Sequence, residues 1–201
     1  MDEAREIIST VDDACSLILR WFGWQDKLLG SRTPLSPAFP KAIRIVSHRL
    51  GRMWEEPRPA GDVNLFNSQD RLIAPHHYQA DADGLVPIIW ENQGVWGCAV
   101  KPETGAQLWV TGDWPDAACG TAGWRPTADE IDKAIIFVLL ANSVLASANC
   151  EYDDEDEKPD DADRLLWAFA PWSGFSGFWT NKEESLIRMQ GYGWGVTARR
   201  P

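Results

Sequence analysis

Glu91, Asn92, Gln93 and Gly94 stand in a row between two apolar segments, with Trp90 and Trp96 at the flanks. A carboxylate beside two carboxamides could form a polar pocket in which Glu91 carries a proton. One carboxylate without a second acid or a base is a poor catalyst for most reactions. The same residues suit the tip of a β-hairpin, where polar side chains tie down backbone amides. Trp90, Trp96 and Ile88 would then fill a core face. We take the architectural reading, and expect no catalytic residue and no enzyme.

Other candidates for chemistry are thinner. The three histidines are His48, His76 and His77. No spacing among them matches a metal-ligand motif, and neighbours on a strand point apart. The run from Trp172 to Trp179, WSGFSGFW, places Ser176 between glycines but lacks the GxSxG order of a nucleophile elbow. Gly174 and Gly177 fit better as relief for a bend between aromatic residues. The phosphate-cradling patterns GxGxxG and Walker A are missing. No cofactor is expected.

The densest charge lies at positions 151–163, where nine acids accompany one lysine, a net −8 of the chain's −11. A calcium loop alternates its acids, turns on a central glycine and closes with a distant glutamate. Here the acids are consecutive and no glycine falls among them, so no metal site is expected. Like charges this close repel into a solvated, flexible loop. If that loop docks a basic partner, Asp153, Asp154, Glu155, Asp156, Glu157, Asp160 and Asp161 are the candidate contacts.

These residues belong to a chain of 201, the size of one domain, 1–201. It is 44% hydrophobic and 24% charged, which excludes fibrous and wholly disordered classes. Nineteen Lys and Arg against thirty Asp and Glu repel phosphate backbones, so neither nucleic acid nor an anionic membrane is an expected partner. The start, MDEAREIISTVDDA, has acids where a secretory signal has bases. The apolar run at 134–148 is too short to cross a bilayer and is interrupted by Asn142. A cytoplasmic protein is expected, with Cys15, Cys98, Cys119 and Cys150 reduced. Its twelve tryptophans read mainly as core.

The elements that must hold the hairpin follow from periodicity. Ala4, Ile7, Ile8, Val11, Cys15, Ile18 and Phe22 lie on one helical face, capped near Asp2 and stopped by Gly23. Phe39, Ile43, Val46 and Leu50 mark a second helix ending near Gly51. Positions 64–73 suit a short helix or a loop. From Leu85 the period becomes two, and strands VPIIWEN, VWGCAV and QLWV follow. A loop with Trp114 and Trp124 spans 112–126. Thr127 and Glu130 match a capping box for a helix through Ile131, Ile135, Val138, Asn142 and Leu145. The apolar residues nearly surround that helix, so it should be buried on several sides. Strand patterns return in RLLWAFAPW, SGFSGFWT, SLIRMQ and GWGVTA. Helices, a strand cluster, a long helix and more strands describe an α+β fold.

The run Trp90-Glu91-Asn92-Gln93-Gly94-Val95-Trp96, with Val100 beyond it, resembles the signature hairpin of the SUKH superfamily, named after a yeast cell-wall-synthesis regulator. Pro37, Phe39 and Ala42 resemble that family's entry to a helix. Asn64-Leu65-Phe66 and Asp70-Arg71-Leu72 resemble its segment before the sheet. Gln107-Leu108-Trp109-Val110, then Trp124, then the long helix follow in the family's order, and the likeness covers 35–148. It implies a mixed or antiparallel sheet flanked by helices. It also implies a bacterial immunity protein that binds and neutralises a cognate polymorphic toxin of nuclease or deaminase type, without catalysis. A basic toxin is the partner that the acidity of this chain would suit. The alternatives are a regulatory or scaffold protein of the same fold, and a carbohydrate-binding or hydrolytic protein using tryptophans such as Trp96 and Trp172.

Overall fold

In a computed structural model of the chain, the described residues are 7–57, 59, 63–112, 123–153, 164–168, 175–191 and 194–200. The helices are α1 (Val11–Trp21), α2 (Lys41–Leu50), α3 (Arg52–Glu55) and α4 (Ile131–Leu145). Five strands, β1 (Asp70–Leu72), β2 (Val86–Glu91), β3 (Trp96–Val100), β4 (Gln107–Gly112) and β5 (Arg125–Glu130), form one sheet in sequential order. A second sheet runs β6-β10-β9-β8-β7, from β6 (Cys150–Asp153), β7 (Arg164–Trp167), β8 (Phe175–Thr180), β9 (Leu186–Gly191) and β10 (Trp194–Arg199). Every pairing between strands is antiparallel. The fold is α+β, with two sheets where the resemblance implies one.

Helix α4 joins these parts. It packs on α1 and α2, on β1, β3, β4 and β5 of the first sheet, and on β9 and β10 of the second. Its all-round apolar surface follows from having neighbours on every side, and twelve of its residues are buried. Trp21 of α1 donates its indole N–H to Ser147 Oγ just past α4, at 3.1 Å.

Several sequence expectations need correction. Helix α1 starts at Val11, seven residues later than its apolar period suggests. Thr10 and Asp13 form a capping box there, and the Ile7 and Ile8 amides instead donate to the carbonyls of Leu165 and Leu166. A local cap and a sheet edge thus satisfy groups that a longer helix would have bonded internally. The capping box expected at Thr127 and Glu130 does not form. Residues 125–130 pair with β4 as a strand, so Thr127 Oγ1 accepts from the Asp129 amide and donates to the Leu108 carbonyl. Positions 64–73 hold a turn and the strand β1. The acidic run begins as the strand β6, and 154–163 lie outside the described residues.

The bend expected at Gly177 is present. Its φ is +127°, at a register shift between β8 and β9, and a Cβ there would meet the Trp167 carbonyl at 2.6 Å. Gly174 lies outside the described residues. Among tryptophans whose burial is described, Trp21, Trp24 and Trp167 are buried. Trp54, Trp90, Trp96, Trp109, Trp124 and Trp179 are half-buried.

Candidate functional site

The hairpin tip is built by its own carboxylate. Glu91 Oε2 accepts the amides of Gln93 at 2.8 Å and Val95 at 3.0 Å. Gly94, at φ +75°, donates its amide to the Glu91 carbonyl at 3.0 Å, a conformation that favours glycine. Asn92, Gln93, Gly94 and Val95 are exposed. The Glu91 carboxylate and the Gly94 backbone close the turn.

Of the two flanking tryptophans, half-buried Trp96 packs against the core, and half-buried Trp90 lies on the other face of the hairpin. Trp90 pairs with Gly97 across the strands, and a Cβ on Gly97 would strike the Trp90 ring. That ring packs 5.6 Å from Trp124, on the face turned away from α4. Trp96 lies on the opposite face, its ring 6.5 Å from that of Phe137 in α4. The core between them is closed by Ile88, Ile89 and Cys98, each fully buried. A register shift between Pro87 and Ile89 lets two consecutive isoleucines point inward. The tryptophans are left to cover the margins.

Asp70 was not distinguished from its neighbours by sequence pattern, yet it is the most perturbed carboxyl of the sheet. The register sets Asp70 opposite Glu91, so both side chains share one face. Asp70 is only 5% exposed. Burial, with the nearby Glu91 charge adding to it, pushes its carboxyl up to about 7. Burial and then Asp70 likewise raise the Cys98 thiol well above its ordinary value.

Asn142 holds this strand in place. Its Oδ1 accepts the amides of Gln69 and Asp70 at 3.2 and 2.9 Å, and its Nδ2 donates to the carbonyls of Leu65 and Asp70 at 2.6 and 2.7 Å. One carboxamide thus serves four backbone groups next to a buried acid. The available signal was the lone amide within an apolar helix.

Asp153 ends β6, while Asp154, Glu155, Asp156, Glu157, Asp160 and Asp161 lie outside the described residues. Beside Asp153, Glu151 is exposed and Tyr152 is 68% exposed, on a strand at the margin of its sheet.

Two further places could take ligands. A cavity of 540 Å³ opens between the segment before α2 and strands β2 and β3, lined by Phe39, Lys41, Tyr78, Ile88 and Pro102 among others. The Tyr78 hydroxyl is buried with no hydrogen-bond partner, and burial raises it far above its ordinary value. His76 and His77 sit on a 3-10 turn, not on a strand, and both are exposed with rings 4.1 Å apart. Among the described residues, no three His, Cys, Asp or Glu side chains come together to hold a metal. Cys15, Cys98 and Cys150 are free thiols. No helix among the described residues is long and apolar enough to cross a membrane.

No protein-family model, curated protein or solved structure matches the chain.

Proposed function

We propose that the chain is a non-catalytic protein-binding domain that captures a basic protein. It is of the immunity kind implied by the SUKH-like residues and neutralises a cognate nuclease- or deaminase-type toxin in the cytoplasm. The observation that carries this reading is the margin of the second sheet, where exposed Glu151 and Tyr152 lead directly into the acid-rich sequence at 153–161. A toxin that acts on nucleic acid must hold a polyanion, so its working surface is basic and complementary to such a stretch. Charge of this density raises association rates toward about 10⁸–10⁹ M⁻¹s⁻¹ at low salt. An exposed tyrosine is a residue type enriched among binding anchors. The use of Glu91 as a turn acceptor supports the non-catalytic part.

The test is co-expression with each basic protein encoded beside this gene. The expected result is a purified complex and restored growth, both lost when the acids at 153–157 are changed to lysine. Absence of both binding and rescue for every such neighbour would refute the reading.

A further inference from the structure

Among the described residues, strand β6 is paired on one side alone. Asn149 accepts the Arg199 amide at 3.1 Å, and the register continues as Glu151 opposite Thr197 and Asp153 opposite Gly195. In an antiparallel ladder, alternate residues turn both backbone groups toward the neighbour. Glu151 and Asp153 therefore bond toward β10, and the amide and carbonyl groups of Cys150 and Tyr152 point away from the sheet. Among the described residues none bonds them there. At the other end of the same sheet, the carbonyls of Leu165 and Leu166 in β7 are taken by the amides of Ile7 and Ile8. Among the described residues one margin is covered and the other leaves these backbone groups without a partner, a template for a further strand.

We propose that the outer edge of β6 takes up an extended segment of a partner protein as an added antiparallel strand, in which basic residues alternate with apolar ones. The proposal rests on the protein-binding reading above and specifies where and how the partner sits. A second copy of this chain is the wrong occupant, because edge-to-edge pairing would join two chains of net −11 along strands that each carry Glu151 and Asp153. A basic segment meets the opposite field. Strand alternation then fixes its pattern. Side chains beside the exposed Glu151 lie on one face and suit lysine or arginine, and those beside the exposed Tyr152 lie on the other and suit an apolar group. Because Tyr152 turns its backbone outward, the residue opposite it exchanges both hydrogen bonds with it, and that residue is an apolar one.

The register makes the test specific. A fluorescein-labelled peptide of alternating lysine and valine is titrated with the full chain at low salt and followed by anisotropy. N-methylation of the valine amides removes the donors that face β6 and should weaken binding at least about tenfold. N-methylation of the lysine amides, which face away, should change it by less than about twofold. Tyr152→Pro in the protein removes the outward donor at an edge position that tolerates proline. It should weaken the parent peptide as valine methylation does, with the circular dichroism spectrum unchanged. Equal binding of parent and valine-methylated peptides would overturn strand addition while leaving a charge-driven contact standing. Greater loss on lysine methylation, or no binding of any peptide, would also overturn it. The co-expression experiment judges the broader reading separately.

Discussion

Replacing Asp70 by asparagine should stabilise the protein at neutral and alkaline pH and change it little in acid. The carboxyl sits at about 7 in the folded chain against an ordinary value of 3.8, raised first by burial and then by Glu91. Below 3.8 both folded and unfolded chains hold the proton, and the group has no effect on stability. Between 3.8 and about 7 the unfolded chain ionises while the folded chain does not, so stability falls as pH rises. Above that range the full penalty applies, and the gap corresponds to roughly 4 kcal/mol. Asparagine has the shape of the neutral acid and carries no charge at any pH. Urea unfolding followed by tryptophan fluorescence should give a gain of about 1 kcal/mol near pH 4.5, rising to about 4 near pH 8. Glu91→Gln keeps an acceptor for the turn amides and removes only the lesser cause, so it should recover a smaller share of the pH-dependent loss. A gain for Asp70→Asn that is the same at both pH values, or a loss near pH 8, would refute the reasoning.

Asn142→Leu keeps the branching of the side chain but leaves two amides and two carbonyls unpaired, and should cost about 3 kcal/mol or more in urea unfolding. Thr10→Ala removes the cap of α1 and should cost about 1 kcal/mol. It should also raise the Asp13 carboxyl in an NMR titration, since burial pushes that group up and the hydrogen bonds from Thr10 and Ser9 outweigh it to hold it low. Gly112→Ala places a Cβ against the Val95 carbonyl at φ +71°, where backbone cannot yield cheaply. It should lower the melting temperature by at least several degrees, as for a loss above about 2 kcal/mol.

The local sequence at 91–95 determines the turn, because a carboxylate two and four residues before two free amides closes it with no distant help. The same holds for the breadth of the apolar surface of α4, which requires neighbours on all sides wherever they come from. Net acidity and its concentration at 151–163 are likewise properties of composition. Only the tertiary structure decided that Asp70 faces Glu91, since register joins residues 21 positions apart and period-two patterning is equally satisfied by other pairings. It alone turned the capping-box residues 127–130 into a strand, because pairing with β4 claims backbone groups that the local cap would otherwise have used. It alone put Trp90 and Trp96 on opposite faces, through an irregular pairing that no alternation rule contains. The open edge of β6 belongs to this second kind. A strand of four residues reads the same at a sheet's centre or margin, and its place is set by which chains of hydrogen bonds the rest of the fold has already completed.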